Sequence, residues 1–189
     1  MLMEKIRYLI LVLFMAVCWK PAMGQRFSVS TNILDYLNFA TLNAEASYAV
    51  SRHWSVSAVV RYNPWTFNSG IRGKQFQHRQ QCYSAAGRYW IWHTYSGWWV
   101  SGKMQYQEYN TGGIIDLSTE EGDRFGAGVS AGYTYMLHPR LNIEFGLGLW
   151  GGVRKYRVYN CPFCGVTTAS GTGGFILPDD IKISLAYVF

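Results

Sequence analysis

The chain has 189 residues, with 17% aromatic side chains, 20 glycines and a formal net charge of +6. The net charge is mild and the basic residues form no long Lys/Arg run, so nucleic acid is not an expected partner. No apolar stretch reaches the ~18 residues that a membrane helix needs. The composition therefore favours one all-β domain.

Residues 1–24 have the organisation of a secretory signal peptide. Two basic residues precede an apolar run over 8–17, and 22–24 place small residues where signal peptidase cleaves. A lipoprotein signal at Cys18 is the alternative, but the valine before it is larger than that motif prefers. We therefore expect an exported protein whose mature domain is 25–189.

Apolar residues recur at every second position in eight segments of the mature chain. These segments are 27–33, 42–50, 54–62, 83–91, 98–106, 125–137, 141–159 and 178–189. A strand between lipid and a polar lumen needs one apolar and one polar face, so the pattern predicts an eight-stranded, antiparallel, up-and-down transmembrane β-barrel. The alternative is a soluble barrel with its apolar face in the core. Its other face would then be exposed to solvent and richer in Lys and Glu than the Ser, Gly and Ala found here.

The connections between these segments alternate in length, as they do in outer-membrane barrels. The predicted periplasmic turns are 51–53, 93–96 and 138–140. The predicted external connections are 35–41, 64–80, 108–123 and 160–177. An even number of strands returns Phe189 to the periplasm, and an aromatic carboxy-terminus resembles the signal that barrel assembly machinery reads. We therefore expect a location in the outer membrane of a Gram-negative cell, with its lipid and that machinery as partners.

Aromatic side chains are predicted to form a girdle at each end of the barrel. The inner girdle would contain Trp54, Trp90, Trp92, Trp98 and Tyr187. The outer girdle would contain Tyr62, Trp65, Tyr106 and Tyr159.

Six charged residues lie on the polar face of the predicted strands: Glu45, Arg61, Arg88, Lys103, Glu144 and Lys182. Eight strands enclose an interior that side chains just fill, so we expect it to be packed. Buried charges need partners, and a guanidinium group can hold a carboxylate bidentately. We predict a network in which Glu45 and Glu144 anchor Arg61, Arg88 and their neighbours, and which fixes the fold.

Cys161 and Cys164 form a C-x-x-C motif in the last external connection, and Cys82 is predicted on the same side. The βαβ context of a redox dithiol is absent. A zinc site would need Cys82 and His78 to complete its ligands. A disulfide among the three cysteines is the favoured interpretation in an oxidising compartment. A metal site and an unpaired thiol remain the alternatives.

No nucleophile, base and orienting carboxylate line up in the sequence. Three of the four histidines fall in predicted periplasmic turns, and the acidic residues over 116–123 are interpreted as solvated surface, with a calcium site as the lesser alternative. Residues 146–151 fit G-x-G-x-x-G, but small lumen-facing residues explain them better because no helix follows. We expect no enzymatic activity, no cofactor and no metal.

Several motifs resemble a family of uncharacterised outer-membrane barrels found in Bacteroidota, classed as a domain of unknown function and similar in build to OmpA/OmpX-type barrels. The matching segments are Thr31-Asn32-Ile33-Leu34, Asn43-x-Glu45, Tyr62-Asn63-Pro64-Trp65, Arg88-Tyr89-Trp90, Gly132-Tyr133, Leu141-Asn142-Ile143-Glu144 and Cys161-x-x-Cys164-Gly165. The resemblance implies an outer-membrane barrel and no established activity.

We therefore predict a non-enzymatic outer-membrane barrel with a structural or surface-interaction role. Pro64, Trp65 and Phe67, together with the cysteine-bearing connection, are the predicted external contact surface for a surface protein or host ligand. An outer-membrane enzyme acting on lipid or peptide, and a small channel, are the alternatives.

Overall fold

The computed structural model describes residues 25–67, 76–113, 118–160 and 166–189, so the predicted signal peptide lies outside the described residues. The elements are β1 (Phe27–Asn32), α1 (Ile33–Leu37), β2 (Leu42–Ala49), β3 (Trp54–Asn63), β4 (Thr66–Phe67), β5 (Phe76–Trp90), β6 (Gly97–Gly112), β7 (Thr119–His138), β8 (Leu141–Tyr159) and β9 (Thr167–Val188). In this part of the chain, no helix is long and apolar enough to cross a membrane.

All nine strands belong to one antiparallel sheet that closes into a ring. Neighbours in sequence pair with each other except β3 and β4; in addition, β1 pairs with β9, and β3 pairs with β5. The two-residue strand β4 adds to β5 beyond the end of β3, so eight strands form the ring and the ninth extends its rim. The predicted count of eight omitted β4, which is too short to show any alternation.

The strands are staggered around the ring. A path through paired residues runs from Ala186 through Ser30, Glu45, Val59, Ser84, Gln105, Gly126 and Gly152. It returns to β9 at Phe175, eleven residues before its start. A closed sheet with such a stagger requires strands that tilt relative to the ring axis.

The buried face of the sheet is polar and its exposed face is apolar, which is the reverse of the arrangement in a soluble protein. The buried face points into the ring and carries serines, amides and charged groups, such as Ser28, Ser57, Gln105 and Ser184. The other face exposes large apolar side chains along every long strand. Because successive strand residues point to opposite faces, the alternation in the sequence determines this arrangement.

One end of the ring carries the three short connections 50–53, 91–96 and 139–140, which we call the turn end. A buried apolar cluster at this end, which we call the apolar plug, consists of Ala49, Trp90, Tyr95, Trp99 and Val188. Tyr95 reaches it from the turn after β5, where a positive φ of 66° folds the side chain inward. Its hydroxyl donates to the carbonyl oxygens of Arg26 and Ser47 at 3.0 and 3.1 Å.

The prediction that Trp90 belongs to the inner aromatic girdle was wrong. The Trp90 side chain is 0% exposed, whereas that of Trp54, another predicted girdle residue, is 54% exposed. Even-numbered residues of β5 near the turn end point into the ring, as Arg88 does, so Trp90 belongs to the plug. Its indole N–H donates to the Ser55 hydroxyl at 2.9 Å. The sequence pattern around it, Tyr89-Trp90-Ile91-Trp92, is apolar on both faces and hides this parity.

The opposite end, which we call the open end, differs from the prediction. Parts of all three predicted connections 64–80, 108–123 and 160–177 are strand, since β5 begins at Phe76, β6 ends at Gly112, β7 begins at Thr119 and β9 begins at Thr167. Both faces of these extensions are largely solvated and carry Gly, Ser, Thr and charged residues. Alternation therefore disappears there although the hydrogen-bonded ladder continues.

The chain after β1 forms α1, whereas Ile33 was predicted to continue the strand. Asn32 begins the helix, because its side-chain oxygen accepts a hydrogen bond from the backbone N–H of Leu34 at 3.2 Å. This capping is typical of Asn at a helix start. The short helix brings Asp35 to the ring interior, where it pairs with Arg61.

Candidate functional site

The ring interior contains two groups of ion pairs and a third, more exposed group. The turn-end cluster consists of Glu45, Arg88, Glu144 and Lys182. The central cluster consists of Asp35, Arg61, Lys103, Asp179 and Asp180. The open-end cluster consists of Glu120, Arg124 and Arg154.

Arg88 is the centre of the turn-end cluster. Its Nη2 lies 2.7 Å from Glu45 Oε1, and its Nη1 lies 3.1 Å from Glu144 Oε2. Lys182 Nζ contacts the other oxygen of Glu45 at 2.8 Å. All four side chains are 3–8% exposed. Two carboxylates face two cations, so the charges in this layer balance.

Aromatic rings support the Arg88 guanidinium from the turn end. The guanidinium carbon lies 4.3 Å from the centre of the Trp99 ring and 5.4 Å from that of Trp90, within the range of cation–π attraction. Two facing glycines make room for the Trp99 indole. A Cβ on Gly132 would lie 2.4 Å from Trp99 Cζ2, and a Cβ on Gly146 would lie 3.0 Å from Trp99 Cη2. Gly146, part of the G-x-G-x-x-G pattern, thus faces the interior and has a packing role.

The central cluster joins residues of four different elements. Arg61 contacts Asp35 through Nε at 3.2 Å, Asp179 through Nη1 at 2.9 Å and Asp180 through Nη2 at 3.2 Å. Lys103 pairs with Asp179 and, at 3.0 Å, with Asp180. Three carboxylates therefore face two cations.

A β-bulge places two adjacent aspartates in this cluster. The pairing of β8 with β9 shifts between Gly146 and Gly148, and Asp180 has a positive φ of 49°. In a regular strand, consecutive side chains would point to opposite faces. The bulge turns both Asp179 and Asp180 inward, as bulges commonly re-aim a side chain.

The open-end cluster lies where the interior meets solvent. Arg154 Nη1 lies 3.2 Å from Glu120 Oε1, with both side chains about one third exposed. The Tyr109 hydroxyl donates to the same oxygen at 2.6 Å, and the Arg124 guanidinium lies 3.7 Å from the Tyr109 ring centre. This layer has one more cation than carboxylates. The central cluster has one carboxylate more than cations, so the net charges of the central and open-end clusters cancel.

All six charged residues predicted from the polar face, Glu45, Arg61, Arg88, Lys103, Glu144 and Lys182, point into the ring. The predicted partners of Arg61 were wrong, because it contacts Asp35, Asp179 and Asp180 instead of Glu45 or Glu144. Sequence reasoning missed these aspartates, since one was assigned to a connection and the other two interrupt the alternation of β9. Two adjacent aspartates within an alternating strand were the available signal for a bulge.

The predicted external contact residues lie at the open-end rim. The Trp65 indole N–H donates to the Ala40 carbonyl oxygen at 3.0 Å, and Phe67 stacks on Phe76 with ring centres 5.6 Å apart. Phe39 packs on Phe76 at 4.7 Å. We call Phe39, Trp65, Phe67 and Phe76 the rim aromatic cluster; the first three of these side chains are exposed. Pro64 lies beside them at the end of β3.

Cys82 is buried in β5, and it carries no disulfide among the described residues. Cys161 and Cys164 lie outside those residues. His78 is packed against Phe39 with ring centres 5.1 Å apart, and burial lowers the pKa of its imidazole below the ordinary value. Neither His78 nitrogen has a hydrogen-bond partner in the described part of the chain, where no cluster of three or more potential metal ligands occurs.

The chain matches over residues 9–189 the model of a family described as "Protein of unknown function (DUF3575)". The chain belongs to this family. The match includes every strand of the ring and both buried ion-pair clusters, so the family model spans the whole described fold. No curated protein matches the chain.

Proposed function

We propose that the protein is a non-enzymatic β-barrel of the Gram-negative outer membrane, exported by its signal peptide, with a sealed polar lumen and a surface-interaction role. The observation that carries this proposal is the inverted polarity of the closed ring. Large apolar side chains cover its outside, and ion pairs fill its inside. A closed antiparallel sheet leaves no strand edge unpaired within lipid, which is the condition for a spanning sheet.

Strand length and aromatic placement support a transmembrane orientation. A tilted transmembrane strand needs about 9–11 residues. β3 has 10 residues and β5 to β9 have 15 or more, while β1 and β2 have 6 and 8. Trp54, Trp98 and Tyr187 are exposed near the turn end, while Tyr62 and Tyr106 are exposed farther along their strands. Such pairs of aromatic bands occur at the two interfaces of membrane barrels. The turn end is then periplasmic, and Phe189 at that end would be available to the assembly machinery.

The interior favours a structural role over conduction. The apolar plug closes the periplasmic end, and the turn-end and central clusters form two ion-paired layers behind it. An eight-stranded ring has little room beyond its own side chains. We therefore expect a closed lumen.

The rim aromatic cluster supports the surface-interaction role. Exposed aromatic groups are enriched in protein contacts because they bury a large area with little loss of conformational freedom. Leu37 of α1, two residues before Phe39 in the chain, is also exposed. The partner would be a surface protein or host ligand with a complementary apolar patch.

The location is tested by fractionation of outer membranes and by electrophoresis with and without heating. A folded barrel migrates differently from its heat-unfolded form, and an unchanged mobility with recovery in the soluble fraction would overturn the proposal. Planar bilayer recordings should show no conductance steps; reproducible steps would favour a channel instead.

The interaction role is tested by affinity capture from intact outer membranes. The variant W65A/F67A should lose captured proteins while keeping its heat-modifiable mobility. Trp98→Ala is the matched control, because Trp98 is also an exposed aromatic residue and lies near the opposite end. Equal capture by both variants and the parent would remove the rim aromatic cluster from the function.

A further inference from the structure

The outward faces of β8 and β9 form a column that changes from polar to apolar along its length. At the open end, Arg157 pairs in register with Ser170, and Lys155 pairs with Thr172. All four residues are exposed. Two cations and two hydroxyl groups therefore form a patch of two by two residues.

The two cations have no carboxylate partner among the described residues, although acidic residues lie opposite them on β7. Asp123 is in register with Lys155, and Glu121 with Arg157. Asp123 lies 3.3 Å from the Tyr106 hydroxyl, which donates to Glu108 at 2.9 Å, and Glu121 accepts from Asn110 at 3.3 Å and from Tyr159. Because neither carboxylate forms an ion pair with them, the exposed Lys155 and Arg157 side chains are available to an external anion.

The column below the patch is apolar. Val153 pairs with Gly174, Gly151 with Ile176, and Leu149 with Pro178. Ile176 is 79% exposed, and Val153 and Leu149 are 56% and 54% exposed. An apolar groove continues from Leu149 and Pro178 across the outside of β7 and β6 to Gly87, whose missing side chain leaves open space.

We propose that this column is a binding site for one outer-leaflet lipid with a phosphorylated headgroup. The phosphate oxygens accept hydrogen bonds from Lys155 and Arg157, with Ser170 and Thr172 as additional donors. One acyl chain lies over Ile176 and Leu149 in the groove. Charge-assisted contacts to phosphate are short and strong, and guanidinium groups bind phosphate in a planar, bidentate manner. The inference rests on the proposed membrane location.

The order of residues along β8 argues for a lipid over a soluble phosphate compound. A lipid has its charge and its hydrocarbon at a fixed separation, and the column presents cations first and apolar side chains next along the same two strands. The exposed apolar side chains below the two cations would have no role in binding a free phosphate. Chemical complementarity along the whole column therefore identifies the occupant.

Native mass spectrometry of the detergent-solubilised protein, titrated with phosphatidylglycerol, tests this site. K155Q/R157Q should bind this probe about thirty-fold more weakly, because each cation near a membrane surface contributes roughly a fivefold gain in affinity for anionic lipid. Arg79→Gln is the matched control, since Arg79 is an exposed cation of β5 outside the column. Its affinity for the probe should stay at the parent value.

Two further titrations distinguish the source of the ligand. Diacylglycerol with the same acyl chains should bind the parent as weakly as phosphatidylglycerol binds K155Q/R157Q, and inorganic phosphate should not displace the lipid at equal concentration. Equal affinity for both lipids, equal binding by parent and K155Q/R157Q, or full displacement by phosphate would overturn the inference. Heat-modifiable mobility and membrane fractionation of the same preparations report separately on the barrel, so a failed lipid site and a failed membrane location give different results.

Discussion

The turn-end cluster and the central cluster both contain buried charges, but they differ in charge balance and in access to water. The turn-end cluster is balanced, with its side chains 3–8% exposed and Trp99 packed against Arg88. The central cluster has an excess carboxylate, and its three carboxylates are 11–17% exposed. Regular strands supply every residue of the first cluster, whereas a helix and a bulge complete the second.

This difference predicts where the structure is least tolerant of change. In a fully buried and balanced layer, losing one partner leaves a charge without compensation, and the cost of that charge is large. In a layer with surplus carboxylates and partial access to water, the remaining groups and solvent compensate for a lost charge. We therefore expect stability to depend mainly on the turn-end cluster and its aromatic support.

The largest effect is expected for Arg88→Met. This substitution leaves Glu45 and Glu144 buried with one cation, and it should lower the free energy of unfolding by about 3–5 kcal/mol. Urea unfolding in lipid vesicles, followed by tryptophan fluorescence, measures the change. The triple variant R88M/E45Q/E144Q should recover part of the loss, because it removes the unpaired carboxylates as well. A loss below about 1 kcal/mol for Arg88→Met would contradict the importance of this layer.

Glu144→Gln should have a smaller effect, about 2 kcal/mol, because Arg88 keeps its contact with Glu45 and loses one charge-assisted hydrogen bond. The same variant should conduct no ions in planar bilayers, since the apolar plug and the central cluster remain. Unchanged stability together with open conductance would refute the closed interior.

The strand faces and the turns could be predicted from the sequence because alternation is a local property. It correctly separated Glu45, Arg88, Lys103 and Lys182 from their apolar neighbours, and it located the turn at 51–53. Charge pairing could not be predicted, because it depends on stagger around the ring, which brings Arg88 to Glu144 across 56 sequence positions.

Two local features of the fold were also beyond the sequence pattern. The bulge at Asp179–Asp180 changes the parity of β9, so period-two counting fails there. The inward turn of Tyr95 depends on a single positive φ in a connection that alternation does not describe. The bulge adds Asp179 and Asp180 to the charge network, and Tyr95 completes the apolar plug, so period-two counting predicted neither contribution.

A pair of identical substitutions compares the packing around two glycines. Gly132→Ala should cost about 1–3 kcal/mol, because its Cβ would lie 2.0 Å from the Phe145 carbonyl oxygen and close to Trp99. Gly173→Ala should change stability by less than about 0.5 kcal/mol, since no atom lies within 4 Å of the added carbon. The urea midpoints of both variants, measured side by side, test this contrast. Equal midpoints would mean that the site around Gly132 is no more tightly packed than the site around Gly173.

The smallest effect is expected for Asp35→Asn. Asp35 contacts Arg61 only through Nε, while Asp179 and Asp180 occupy the two other nitrogens of the guanidinium. Removing its charge leaves two carboxylates facing two cations, so the loss of one attraction is offset by less repulsion among the aspartates. We expect a change of less than about 0.5 kcal/mol, against roughly 2 kcal/mol for Glu45→Gln, which leaves Lys182 without its only ion-pair partner among the described residues. If the two variants lose equal stability in urea, the surplus of carboxylates does not protect the central cluster, and the two layers are energetically alike.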